Sequence, residues 1–226
     1  QSPVGGELPT ITSKSAAGSI LETLLEMSKG TLAVQGPPGS GKSHNGGHVI
    51  ADLVLKHGWK VGVISQSHAS IENLLRAVSK AGVPAEFVGK ASPTGQTLEA
   101  VRNSPSTTWT PIAKDGYWKF TSEREGYVIG GTVFDFVKTD QILPKSLDLL
   151  VIDEAGQYSL ANTIAASTAA KRMLLLGDPQ QLPQVTQGKH PEPIDGSALG
   201  WLTGEHEVIP REFGFFLPDS WRMEGE

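Results

Sequence analysis

The chain has 226 residues, 38% hydrophobic and 19% charged, the balance of a soluble globular domain long enough to bury a sizeable core. It has no cysteine, which excludes a disulfide framework and a thiolate metal site, and its formal net charge of −5 excludes a bulk basic surface as the drive for nucleic-acid binding. No apolar run approaches bilayer length and no charged-then-apolar leader opens the sequence, so a cytoplasmic protein, or a nuclear one in a eukaryote, is expected, with no membrane partner.

The opening dozen residues are rich in Gly, Pro, Ser and Thr and read as an entry loop. Residues 15–27 carry Ile20, Leu21, Leu24 and Leu25 at helical spacing, which predicts a helix. Residues 31–35 form a short strand ending in a glycine-rich turn, residues 43–57 a helix stopped by Gly58, and residues 60–65 a second strand. A helix over 69–81 presents Ile71, Leu74, Leu75 and Val78 on one face. This alternation predicts an α/β fold, a parallel sheet with helices on both faces.

Residues 87–122 hold scattered Pro, Gly, Thr and Trp without a clean period, and an irregular insertion over about 90–125 is expected. Beyond it, strands are predicted at 127–132, 147–152 and 172–176, a small-residue helix at 160–170 and a loop at 185–195. Residues 213–217 read as the strand that begins a second lobe. The domain expectation is one lobe over 1–212 and the start of a second over 213–226, both within a longer polypeptide.

Two patterns carry chemistry. Gly36, Pro37, Pro38, Gly39, Ser40, Gly41, Lys42 and Ser43 satisfy G-x-x-x-x-G-K-S/T between a predicted strand and a predicted helix. Glycines let backbone N–H groups wrap a phosphate, and the helix N-terminus adds partial positive charge. Lys42 is suited to the β- and γ-phosphates, and the Ser43 hydroxyl to Mg²⁺. A chance match is expected in roughly one chain in a hundred of this length. The second pattern is the apolar run 149–152 ending in Asp153 and Glu154. Ligands of open α/β sheets sit at the carboxyl ends of strands, which suits Asp153 to Mg²⁺ and Glu154 to a general base acting on water. A third apolar strand, 173–176, leads into Gly177-Asp178-Pro179-Gln180-Gln181, where an amide can bond a γ-phosphate.

Together these residues resemble superfamily 1 helicases of the Upf-like branch. Residues 36–43 are similar to motif I, 63–68 with Asn73 to motif Ia, and 130–132 to the short motif after it. Residues 153–157 are similar to motif II, 177–182 to motif III and 220–223 to motif IV. The stretches 34–42, 153–160 and 177–187 resemble more closely bacterial proteins that join a RecB-like nuclease to such a motor.

The resemblance spans about residues 15–223 and implies a RecA-like P-loop NTPase, a three-layer sandwich with a mainly parallel central sheet. It implies ATP and Mg²⁺ as ligands, and single-stranded DNA or RNA as partner. It also implies a second RecA-like lobe in the same polypeptide, and a nuclease fused outside this segment is a further expectation. Lys42, Asp153, Glu154, Gln181 and Arg222 would be catalytic. Gln157 would sense the γ-phosphate with Gln181, and Trp221 stands where the family has a tyrosine stacked near adenine. Ser65, Ser67, His68 and Thr132 would face the nucleic-acid backbone. Motifs V and VI are missing, and an arginine finger is worth about 10³–10⁵ in rate in related systems. The segment alone is therefore expected to bind nucleotide and hydrolyse it poorly. The alternative from another class is a nucleotide-gated binding module with little hydrolysis.

Three other groups have blander readings. His44 and His48 have zinc-pair spacing but lack the following glutamate of a metalloprotease and read as ordinary helix positions. His190, Glu192 and Asp195 read as a solvated loop. Trp109, Tyr117 and Trp118, near Lys114, Lys119 and Arg124, read as packing under the insertion before base-stacking groups.

Overall fold

A computed structural model describes residues 5–11, 16–92, 95–181, 191, 193–194 and 196–220. In chain order the elements are α1 (Ala16–Glu26), β1 (Gly30–Gln35), α2 (Lys42–His57), β2 (Lys60–Ile64) and α3 (His68–Lys80). After a 3-10 turn at Ala85–Phe87 come β3 (Val88–Ala91), α4 (Leu98–Arg102), β4 (Thr110–Ile112) and α5 (Tyr117–Ser122). The rest are β5 (Tyr127–Gly131), α6 (Val133–Phe136), β6 (Leu147–Asp153), α7 (Leu160–Ser167), β7 (Ala170–Gly177), α8 (Ala198–Thr203) and β8 (Gly214–Phe216).

Eight strands form one sheet in the order β4-β3-β5-β2-β6-β7-β1-β8, and every pairing is parallel. Side chains of each strand divide by period two. Leu32, Val34, Val61, Val63, Leu149, Val151, Leu174 and Leu176 join α1, α2 and α3 in one core. Ala33, Ile64, Leu150, Ile152 and Leu175 face the other way and join Phe120, Phe136, Ala166 and Leu199 of α5 to α8. Both faces are covered, which is why the strands read as near-continuous apolar runs.

The helices follow their local chemistry. Gly58 closes α2 in the left-handed region at φ 65°, returning its N–H to Leu53 O and Val54 O. Ser67 caps α3 by accepting from the Ser70 N–H, and Ile71, Leu74, Leu75 and Val78 form its buried face as predicted. Gly47 brings α2 onto α3: a Cβ there would lie 2.8 Å from the backbone of Ala77.

The irregular segment expected at about 90–125 carries short elements that join the sheet, since β3 pairs with β5 and β4 with β3, extending the sheet by two strands. Tyr117 ties them in, donating to Gly130 O at 2.7 Å and accepting from the Ala91 N–H at 3.3 Å. The strand predicted at 213–217 forms as β8, which pairs in parallel with β1 as an edge of the same sheet. Among the described residues, no helix is long and apolar enough to cross a membrane.

Phe136 is 1% exposed, and its Cε1 lies where a Cβ on Gly62 would be 2.4 Å away, so the ring fills the space that this glycine leaves. Phe136→Ala is expected to lower stability by about 3–5 kcal/mol. An unchanged urea midpoint would contradict this account of the packing.

Candidate nucleotide site and its rim

Register sets the site. Gln35 pairs with Gly177, Leu176 with Asp153, Ile152 with Ile64, and Ile64 with Gly131. Four loops therefore leave the sheet at one level: 36–41 after β1, 178–181 after β7, 154–159 after β6 and 65–67 after β2.

The loop after β1 is a tight cradle. Gly36 donates to Gly177 O at 3.1 Å, and Ser40 N to Pro37 O at 3.1 Å. Gly41 N-caps α2 from the left-handed region, and Asn45 secures it through backbone and side-chain bonds to Gly41 O at 2.8 and 3.0 Å. Lys42 Nζ donates to Gly36 O at 2.5 Å and Pro37 O at 2.9 Å, so its ammonium curls over the loop. Burial pushes the Lys42 pKa down, against the opposing pull of the Asp178 and Asp153 carboxylates. The Ser40 hydroxyl is fully buried without a hydrogen-bond partner inside this cradle. Such an orphan, beside a curled lysine and a helix N-terminus, fits a phosphate.

Ser43 and Asp153 meet across the cleft, with Ser43 Oγ donating to Asp153 Oδ2 at 3.2 Å. A hydroxyl on the first turn of α2 and a carboxylate at the end of β6 are the hard oxygen donors that suit Mg²⁺. Burial pushes the Asp153 carboxyl up to about 6; the adjacent Glu154 charge adds to this, while hydrogen bonds from the Glu154 N–H and Ser43 and the charge of Lys42 oppose it.

Glu154 adopts φ 59°, a left-handed conformation that costs a non-glycine residue of order 1–3 kcal/mol. Its N–H donates to Asp153 Oδ1 at 3.0 Å, and its Oε2 accepts from Ser65 Oγ at 3.2 Å. The turn that follows packs against the β7 loop so closely that a Cβ on Gly156 would lie 1.9 Å from Asp178 O. Gln157 then donates through Nε2 to Gln181 Oε1 at 2.9 Å, and Gln66 Nε2 donates to Gln157 O.

Lys42, Ser43, Asp153 and Glu154 gather at one rim, and Gln157 and Gln181 are bonded to each other. Ser65 is buried, and its hydroxyl donates to Asp153 O at 3.0 Å, which turns it toward the acidic turn. Ser67 and His68 are exposed. Thr132 is half-buried, and its hydroxyl and N–H both bond Asp135 Oδ2 in a capping box. Trp221 and Arg222 lie outside the described residues, as do Leu182, His190, Glu192 and Asp195. The residue before Trp221, Ser220, donates to Pro38 O at 3.0 Å.

His44 and His48 stack edge-on at 4.6 Å on the exposed face of α2, and among the described residues no cluster of three or more His, Cys, Asp or Glu could hold a metal. Trp109 and Tyr117 are buried as packing groups, whereas Trp118 is half exposed.

Two residues were not singled out from sequence. Asp178 is nearly buried and acts electrostatically on Lys42; its signal was an acid directly after an apolar strand. Gln35 ends the apolar β1 and is buried, donating to Glu207 O at 2.9 Å and accepting from the Ile209 N–H at 2.6 Å, which pins the approach to β8. A cleft of about 270 Å³ opens at the opposite rim, lined by Lys60, Trp118, Arg124 and Tyr127, and holds none of these groups.

A cradle after β1, with an acid pair two strands away in a parallel sheet covered by helices on both faces, defines a RecA-like P-loop α/β domain. The chain matches the AAA domain family over residues 18–198 and belongs to it. It is 25% identical over 154 residues to the DNA replication ATP-dependent helicase/nuclease JHS1 of Arabidopsis thaliana, covering 68% of this chain but only 11% of that relative. In fold it is similar to the Type ISP restriction-modification enzyme LlaGI, with TM-score 0.57, 13% identity, and coverage of 92% of this chain and 19% of that one. It is also similar to the UvsW helicase of bacteriophage T4, with TM-score 0.51, 11% identity, and coverage of 90% and 58%.

The raised Asp153 pKa has a sign that can be tested. The unfolded carboxyl ionises near 3.8 and the folded one near 6, so the folded state binds more protons between those values. Stability therefore falls as pH rises through that window, and the penalty is complete above it. In magnesium-free buffer at about pH 7.5, Asp153→Asn is expected to melt higher than wild type, with the gap closing on acidification. A lower melting point for the variant would show that the ionised carboxylate is net stabilising.

Proposed function

We propose that this chain is the ATP-binding lobe of a superfamily 1 nucleic-acid motor, in which Mg²⁺-dependent ATP hydrolysis drives movement along, or unwinding of, a nucleic acid. The observation that carries the reading is the convergence of Lys42, Ser43 and Asp153 on one rim with Glu154 beside them. In this reading the 36–41 backbone and Lys42 bind the β- and γ-phosphates, and Ser43 and Asp153 hold Mg²⁺. Bound there, the ion would neutralise phosphate charge.

Glu154 takes a proton from the attacking water as its oxygen bonds to the γ-phosphorus. The bond to the bridging oxygen breaks, and ADP leaves with that electron pair. Gln181 and Gln157 report the γ-phosphate. By the resemblance, Trp221 would stack near the adenine and Arg222 would touch the γ-phosphate, and a second RecA-like lobe would supply the remaining arginine. Ser67, His68 and Thr132 lie toward the nucleic acid, and the name of the Arabidopsis relative favours DNA over RNA.

The test is the ATPase rate of the full-length protein with and without single-stranded DNA or RNA. Strong stimulation by one polymer is expected, with Glu154→Gln slowing turnover about 10²–10⁴-fold while retaining nucleotide binding. Lys42→Ala is expected to abolish that binding. A rate indifferent to both polymers would favour the nucleotide-gated binding module instead.

A further inference from the structure

The half-exposed ring of Trp118 takes no part in the phosphate rim, because it stands at the other end of the sheet. There the starts of β2 and β5, helix α5 and the segment 141–146 enclose the cleft of about 270 Å³. α5 buries Tyr117 and Phe120 against the sheet, which turns Trp118 outward. The facing wall carries Gln141 and the half-exposed Leu143.

Both walls are fastened by the chain itself. Lys138 pairs at 3.3 Å with Asp115, just before α5, and the Gln141 and Ile142 N–H groups both donate to Lys138 O. At the far end Lys145 adopts φ 58°, and its ammonium donates to Ala170 O at 2.9 Å and Ser167 O at 3.2 Å. A cleft held in this way needs little ordering when a ligand enters.

Its polar groups are unevenly committed. The Arg124 guanidinium lies 4.0 Å from the Phe120 ring and donates to Glu86 O and Phe120 O at 2.8 and 2.6 Å. The Tyr127 hydroxyl is bonded to Thr121. Two lining groups stand uncommitted. Lys60 is half-buried and spends its backbone N–H on Asp148, but among the described residues its ammonium has no hydrogen-bond or ion-pair partner. Gln141 Oε1 is buried and accepts no hydrogen bond. The cleft thus offers one cation, one acceptor without a donor, and an indole face.

We propose that this cleft docks an extended peptide segment of a partner protein, with an apolar side chain against Trp118 and Leu143, one carboxylate on Lys60 and a backbone N–H on Gln141 Oε1. Its volume lies below the roughly 300–1,000 Å³ of small-molecule pockets and suits one or two side chains. A nucleic-acid strand fits less well, since strand grooves line up cations along a run of phosphates. Here one ammonium is free, while Glu123 stands 3.6 Å from Arg124, Asp140 3.4 Å from Gln141 Nε2 and Asp148 3.0 Å from Lys60 N. The site lies away from Lys42 and Asp153 and does not depend on the motor reading.

The experiment uses the full-length protein and an array of short peptides, each with one leucine or phenylalanine and one aspartate at varied spacing. Matched sets carry asparagine or lysine in place of the aspartate. The aspartate set is expected to bind, and the asparagine set to bind about 5–10-fold more weakly. For the best binder, followed by fluorescence anisotropy, Trp118→Ala is expected to weaken binding at least about 10-fold. Lys60→Met is expected to erase the preference for aspartate over asparagine. Both variants are expected to hold a non-hydrolysable ATP analogue within about 2-fold of wild type, as a distant site should. Should Trp118→Ala fail to fold, Leu143→Ser, at another half-exposed position, makes the same comparison. No binding by any set, a preference for the lysine set, or binding indifferent to these substitutions would overturn the proposal. So would binding of an oligo(dT) strand that Trp118→Ala abolishes while no peptide binds, which would make the cleft a strand site.

Discussion

The shared register of β1, β7, β6 and β2 is the constraint on which everything else depends. Gln35 opposite Gly177, Leu176 opposite Asp153 and Ile152 opposite Ile64 end the four strands at one level. Parallel strands deliver their exits to the same edge, so residues more than a hundred positions apart, such as Ser43 and Asp153, come within hydrogen-bonding distance. A slip of one residue in β6 would turn Asp153 to the opposite face and bury Glu154 in its place. The apolar alternation of the strands, divided between two cores, fixes the register against that slip.

The rim built on this register is locally unfavourable. Asp153 is buried with its carboxyl pushed up to about 6, Glu154 is left-handed, and Ser40 Oγ lacks a partner. Each feature would be removed by a bland substitution. Strain and unsatisfied polar groups of this kind persist only where surrounding structure holds them, and they cluster where a ligand is to be met. Here the holding is explicit: Gly156 and Gly177 let two loops touch backbone to backbone, and Gln35 ties the chain before β8 to the foot of the phosphate loop.

Much of this was legible in the sequence because long central strands and amphipathic helices carry strong periodic signals. The pattern 36–43 and the pair Asp153-Glu154 announced themselves by chemistry as well as by position. The edge strands did not. β3 and β4 have four and three residues, include Lys90 and Pro111, and lack the length to show a period. The pairing of β8 was not legible because a sequence cannot say which neighbour a three-residue strand will choose. The surroundings of Ser65 stayed hidden for a related reason. Alternation places a side chain on a face, but only the pairing of β2 with β6 shows that this face is occupied by Glu154.

The rim beside β2 is also held from beneath. Glu72 stands one turn beyond His68 on α3 and pairs at 3.1 Å with Lys90, which is almost wholly buried on β3, with its ammonium 5.8 Å from the Trp109 ring. A buried pair adds little net stability, since desolvation offsets its attraction. What it does add is geometry, because an ammonium without its carboxylate would be left buried and uncompensated. α3 is thereby locked to β3 by an ion pair and to the core by Ile71, Leu74, Leu75 and Val78, while the two residues before its cap are bonded to the acidic turn. The β2 exit beside it is held by hydrogen bonds of the Ser65 and Gln66 side chains, and those bonds end on Asp153 O, Glu154 and Gln157.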